Sequence, residues 1–428
     1  MSFADVAFLL AILSFGICNV HALSKPKHNK VVTCYVASWA VYRVGDGAFT
    51  LENLRPELCT HLIYAFAGLN TSSWTIKSLD PWNDIEKDGK GNYKKMTDLR
   101  KKGLKVLLGI GGWNEGSGNY SIMASSPDRR RTFIDSTVKF LNTYGFNGLD
   151  FDWEFPGQRG GTPGDKQSFV SLVKELRDAF KSNLLLTAAV SAVKNTIDVA
   201  YDIPELSKYL DYIHVMAYDY HGLWDRKVLP NSPLRSNDGL SVEDTITYLL
   251  QKGVPTKKLV LGLAMYGRTF ILTKVPESNV DPIGLTSLET SFKGPYTSEE
   301  GFMGFNEICE TLSRSQDWTN GWDNYSSTAY AIKTDHVVVY DNVKAIVAKM
   351  EYVKKKDLAG VMIWSIDMDD FRGNCETLHG VNYPLMRAIN ETLHETNNTG
   401  TPNKSIKVSS NIEFVLLIAT SLFFLIIK

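Results

Sequence analysis

Ser126-Pro-Asp-Arg-Arg-Arg-Thr-Phe-Ile-Asp-Ser-Thr-Val-Lys-Phe-Leu-Asn-Thr-Tyr-Gly145, followed almost at once by Asn147-Gly-Leu-Asp-Phe-Asp-Trp-Glu-Phe-Pro156, reads as one helix delivering the chain into one strand. Ser126 offers an N-cap and Pro127 fills the first helical position. Phe133, Ile134, Val138 and Leu141 form one apolar face, and Gly145 stops the helix. In the strand, side chains alternate, so Asp150, Asp152 and Glu154 share one face while Leu149, Phe151 and Trp153 share the other.

The same unit recurs on either side. Lys166–Lys181 repeats the helix with Phe169, Leu172, Val173, Leu176 and Phe180. Short apolar runs fall at Val31–Val36, His61–Leu69, Val106–Gly111, Gly148–Glu154, Leu184–Ala192, Tyr212–Tyr218, Leu259–Tyr266 and Gly360–Ile366. Eight strands alternating with helices predict an α/β fold, a (β/α)8 TIM barrel, with a doubly wound open sheet as the alternative. Residues 269–336 break the rhythm with Pro, Gly, Trp and Tyr, which predicts a small α+β insertion between strands 7 and 8, on the rim where barrel sites lie.

In a barrel the face of Phe151 and Trp153 packs on helices, which turns the three carboxyls inward. Three acids so close repel, cannot all ionise cheaply, and so raise at least one pKa, the condition for a general acid near neutral pH.

The 428 residues carry 46 Lys+Arg against 47 Asp+Glu, a net charge of −1, which gives no electrostatic reason to expect a nucleic-acid partner. The 44% hydrophobic content excludes a disordered chain. At the N-terminus the uncharged run Val6–Val20 ends in Val20-His21-Ala22, so residues 1–22 are expected to be a signal peptide. At the other end a polar stalk, 393–413, contains the small residues Asn398-Thr399-Gly400 and precedes the apolar run of 414–428. That order predicts either a glycolipid (GPI) anchor signal or a short span ending at Lys428. Residues 23–392 are left as the catalytic barrel, secreted and held at the outer cell surface, with a monomer expected.

Once Cys18 leaves with the signal peptide, Cys34, Cys59, Cys309 and Cys375 remain, an even set suited to two disulfides. Sequons at Asn70, Asn119, Asn324, Asn390, Asn397 and Asn403 are candidate glycosylation sites in the same compartment.

Asp150-Phe-Asp-Trp-Glu154 resembles the DxxDxDxE signature of glycoside hydrolase family 18, the chitinases, and the resemblance runs from Val31 to about Leu385. Gly109-Ile-Gly-Gly-Trp113, Met216-Ala-Tyr-Asp219, Met265-Tyr-Gly-Arg268, and Trp364 with Asp367 are similar to further family motifs, in the same order. The resemblance is strongest to animal and arthropod endochitinases, and it implies the pairs Cys34 with Cys59 and Cys309 with Cys375. It also implies substrate-assisted retention, an exception to the two-carboxylate scheme. Glu154 is the acid, Asp152 and Tyr218 hold the acetamido group, and Asp150 hydrogen-bonds Asp152. Chitin or its oligosaccharides are the implied substrate, with no cofactor and no metal.

Tyr35, Phe66, Trp113, Trp224, Tyr266 and Trp364 lie at or just past predicted strand ends and are candidate sugar platforms. Met216, Asp219 and Arg268 join the candidate substrate contacts through their motifs. One position departs from the signature: its first Asp is Asn147 here. Seven residues before Glu154, an odd number, Asn147 should point to the opposite face. Two other functions share the fold: a chitin-binding lectin, whose members lack the acid at the position of Glu154, and an endo-β-N-acetylglucosaminidase acting on N-glycan cores.

Overall fold

A computed structural model describes residues 28–277 and 280–394. The expected signal peptide, most of the stalk, the anchor, and the sequons at Asn397 and Asn403 lie outside the described residues. Among those described, no helix is long and apolar enough to cross a membrane.

Eight parallel strands close on themselves: β1 (Val31–Ala37), β2 (His61–Asn70), β3 (Lys105–Gly111), β4 (Gly148–Asp152), β5 (Leu185–Ser191), β6 (Tyr212–Met216), β7 (Leu259–Ala264) and β8 (Gly360–Trp364). Closure is made by β1, which pairs with β8 from Val31↔Gly360 and with β2 from Thr33↔His61. The barrel expectation therefore holds and the open sheet does not. Strands covered by helices outside and by one another's side chains inside have no wet face, which is why β1 is buried along its whole length. At Gly148 and Gly360 the neighbouring backbone comes so near that a Cβ would lie 2.1 Å from Leu185 O and 1.8 Å from Val31 O.

The helix Pro127–Tyr144 begins where its cap was read, with Ser126 Oγ accepting from Arg129 N at 3.5 Å, and ends at Gly145 with φ +80°. Phe133, Ile134 and Leu141 are buried against the sheet. The next helix, Asp165–Phe180, buries Phe169, Leu172, Val173, Leu176 and Phe180.

Five strands, β4 to β8, are shorter than their apolar runs: β5 covers Leu185–Ser191 and β8 stops at Trp364. β4 stops at Asp152 and β6 at Met216, because the ladder ends before the apolar sequence does. The run Leu259–Tyr266 is divided: β7 ends at Ala264, and Tyr266–Ile271 begins a second, antiparallel sheet. That sheet has the order Phe302–Gly304, Tyr266–Ile271, His336–Tyr340, Thr328–Lys333, Thr319–Asp323, and the helix Phe305–Arg314 completes the α+β insertion. The insertion thus runs from 266 to 340, wider than 269–336. Phe270, Val337 and Val339 on its flanking strands pack into a separate small core with Val228 and Leu272.

Both disulfides have the implied partners, Cys34–Cys59 across 25 residues and Cys309–Cys375 across 66. In the chain-entropy model loops of those lengths stabilise by about 3.5 and about 4 kcal/mol. The first ties β1 to the turn before β2, and the second ties the insertion helix to the segment after β8.

The sequons separate by environment. Asn119 and Asn324 are exposed and Asn70 half-buried. Asn390 is corrected: it lies inside the helix Pro384–His394, buried, with its amide nitrogen donating to Leu58 O at 3.0 Å and Met386 O at 2.9 Å. A glycan there would have to displace both bonds.

Candidate active site

The carboxyls of β4 point into the barrel, as the alternation required, and each meets a different environment. Asp150 is fully buried. Its Oδ2 accepts from the Tyr35 hydroxyl, and its Oδ1 from Thr187 Oγ1 at 2.5 Å and His214 Nδ1 at 2.9 Å. With both oxygens occupied, Asp150 makes no hydrogen bond to Asp152, contrary to expectation. Asp152 Oδ1 is buried with no partner among the described residues. Burial first, then the charges of Glu154 and Asp150, hold the Asp152 carboxyl well above the usual carboxylate range.

Glu154 stands two residues past Asp152. Protein atoms crowd it from most sides while part of its surface stays open to the cleft, and it is pushed from 4.5 up to about 7. Burial is the main cause; the Arg159 guanidinium opposes it and the Asp219 charge adds to it. Behind the acids, Phe151 packs edge-on to Tyr120 and Phe133, and Trp153 Nε1 donates to Ser117 Oγ at 2.6 Å, so the outer face of the strand is locked. Asn147 does point away: its Oδ1 accepts from Val106 N at 2.9 Å, stitching the start of β4 to β3.

Tyr218, just beyond β6, is buried with its hydroxyl 3.7 Å from Met362 Sδ, and burial followed by the Asp152 charge keeps its proton on. Met216 ends β6 half-buried. Asp219 follows with φ +56°, its N–H donating to Asn231 Oδ1 at 3.0 Å. Its Oδ1 accepts from Tyr266 Oη at 2.8 Å and from Arg268 Nε and Nη2 at 3.1 and 2.5 Å. The first strand of the insertion is thereby fastened to the loop after β6.

Three of the six expected platforms are not platforms. Tyr35 and Tyr266 are almost wholly buried, and their hydroxyls serve Asp150 and Asp219. Phe66 is also buried, close enough to Gly112 that a Cβ there would sit 2.7 Å from its ring. It supports Trp364, with centroids 5.9 Å apart and 23° between planes. A position at a strand end says that a ring is near the rim, and depth then decides which ring a sugar can reach. Trp113 and Trp224 are open, at 58% and 59% exposure, and Trp364 is half-buried.

Trp39 was missed. It is 43% exposed and packs on Phe66 at 6.1 Å and Trp364 at 6.2 Å, so it extends the aromatic floor. Its place two residues past β1 was the available signal. Nothing local in the sequence marked Thr187 or His214, which reach Asp150 only because β5 and β6 follow β4 around the ring. Among the described residues no group of three or more His, Cys, Asp or Glu is arranged to hold a metal.

The family model described as "Glycosyl hydrolases family 18" matches residues 31–369. "Probable chitinase 2" of Drosophila melanogaster is 48% identical over 403 residues, covering 87% of this chain and 82% of that protein. The crystal structure of the Group IV chitinase of Ostrinia furnacalis in complex with allosamidin is 42% identical with a TM-score of 0.81, covering 86% of this chain and 99% of that one. Human YKL-39, described as a pseudo-chitinase with retained chitooligosaccharide binding, is 33% identical with a TM-score of 0.76, covering 85% and 99%.

Proposed function

Since the chain belongs to glycoside hydrolase family 18 and is a chitinase, we propose that it cleaves β-1,4-linked N-acetylglucosamine chains internally, with net retention and with the substrate's own acetamido group as nucleophile. The observation that carries this reading is Asp152 Oδ1, a buried acceptor without a donor beside an acid held near pH 7. An unsatisfied buried acceptor is costly, by about 1 to 3 kcal/mol, and an acetamido N–H entering the site would relieve it. Glu154 gives its proton to the glycosidic oxygen as the C1–O bond breaks. The acetamido carbonyl oxygen bonds to C1 from the opposite face, giving a cyclic oxazolinium ion whose N–H Asp152 accepts and whose methyl side Tyr218 encloses. The Glu154 carboxylate then takes a proton from water, the water oxygen bonds to C1, the C1–acetamido bond breaks, and the configuration is restored. Exposed Trp113 and Trp224, with Trp364 and Trp39, supply flat apolar faces for sugar rings. Asp219 and Arg268 supply polar contacts.

Nuclear magnetic resonance of fresh products from a chitin oligosaccharide tests the route: the β-anomer is expected first. Initial α-anomer would overturn the route, and binding without turnover would match the behaviour described for YKL-39 instead. The reading includes a cell-surface location through the C-terminal signal. Phosphatidylinositol-specific phospholipase should release active enzyme from cells, and enzyme that stays in the membrane would favour the short span.

A further inference from the structure

The loop between the acid and the next helix is built with unusual care for a segment that carries no assigned role. Buried Asp165 receives four donors: Ser121 Oγ at 2.5 Å, Gly157 N at 3.0 Å, Thr162 N at 2.8 Å and Thr162 Oγ1 at 2.9 Å. Gly161 lets the chain pass so near that a Cβ would lie 2.3 Å from Asp165 Oδ2. At the loop's start, Ser117 Oγ donates to Phe155 O at 2.8 Å and Gln158 N to the same oxygen at 3.0 Å. Between these two braces Arg159 adopts a left-handed backbone, φ +47°. Its guanidinium lies 3.4 Å from the centroid of the Trp113 ring, and Nη1 donates to the backbone oxygen of Glu154 at 2.9 Å. One exposed side chain therefore touches both the open aromatic ring and the residue that carries the acid.

We propose that Arg159 is a positioning residue of the cleft, which backs the Trp113 platform on one face and presents a fixed positive charge to the Glu154 carboxyl. The inference rests on the hydrolytic role of Glu154 given above. A guanidinium stacked on an indole is attracted to its π face and restrains the ring, so the opposite face is held ready for a sugar. Its charge favours the ionised carboxylate and so limits how far burial raises the acid. The other titratable groups facing Glu154 are Asp219, Asp152, Tyr218 and Tyr201. Burial raises Asp152 and the two phenols, and Asp219 acts on Glu154 as a negative charge, so Arg159 is the cation of the set.

Two variants separate platform from charge. Arg159→Lys keeps the charge and loses the flat stack; Arg159→Asn loses both, and Asn tolerates the left-handed backbone better than most residues. Wild type, both variants and Glu154→Gln are assayed on chitin oligosaccharides across pH. Because Glu154 acts protonated, removing the cation raises its pKa and moves the alkaline limb of kcat/KM upward. Arg159→Asn should move that limb by about 0.5 to 1 pH unit, a modest shift because the charge is exposed and screened, and less at high salt. KM should rise about two- to fivefold in both variants, the size of an exposed cation–π contact, while Arg159→Lys leaves the limb at the wild-type position. Wild type that turns over, with an unmoved limb in Arg159→Asn or an equal shift in Arg159→Lys, overturns the inference alone. Wild type no more active than Glu154→Gln overturns the hydrolytic reading together with it.

Discussion

Replacing Glu154 by Gln should make the protein more stable at every pH above about 4.5, and most at neutral and higher pH. Gln is close in shape to the protonated acid and cannot ionise. In the wild type the folded carboxyl titrates at about 7 instead of 4.5. Between those values the unfolded chain has released the proton and the folded chain has kept it, so stability falls as pH rises through this window and is level above it. A displacement of that size, at about 1.4 kcal/mol per pH unit, amounts to about 3 kcal/mol, and the part of the carboxyl open to the cleft reduces this to about 2 to 3 kcal/mol. For a cooperative unit of this size the difference corresponds to about 3 to 4 °C in Tm. Denaturant unfolding of both proteins at several pH values measures it: no difference near pH 4, a growing advantage for the variant up to about pH 7, then a constant gap. Turnover of the same variant should fall by about a hundredfold to ten-thousandfold. Stability curves that run parallel from pH 4 to 8 would refute the claim that Glu154 is held protonated by its surroundings.

Asp219→Asn removes a negative charge that raises Glu154, so the alkaline limb of its kcat/KM profile should move to lower pH, opposite in sign to Arg159→Asn; an upward shift would contradict the charge assignment. Peptide mass mapping of protein from a glycosylating host should find glycan on Asn119 or Asn324 and none on Asn390, whose amide is already committed inside a helix. A glycosylated Asn390 in folded, active protein would show that the end of that helix opens.

Much of the site was legible because β-strand geometry is local. Alternation alone placed Asp150, Asp152 and Glu154 on one face and turned Asn147 to the other, and the structure keeps both assignments, with Asn147 bonded to Val106. The cap at Ser126 and the stop at Gly145 were equally local, since each acts within its own turn of helix. What sequence could not supply was depth and partnership. Tyr35, Phe66 and Tyr266 have the same sequence setting as Trp113, yet the ring of strands buries the first three and leaves Trp113 open.

The sequence by itself determined the eight-fold alternation, the inward row of acids and the presence of an insertion after the seventh strand. These follow from periodicities of two and 3.6 residues that any segment expresses alone. Only the tertiary structure decided that Tyr35, Thr187 and His214 saturate Asp150 and leave Asp152 with a free oxygen, because those donors come from β1, β5 and β6 and meet when the barrel closes. The pKa of Glu154 belongs to the same class: it is set by burial, by Arg159 five residues on and by Asp219 from the loop after β6, and electrostatic energy depends on distance through space, which the order of residues does not state.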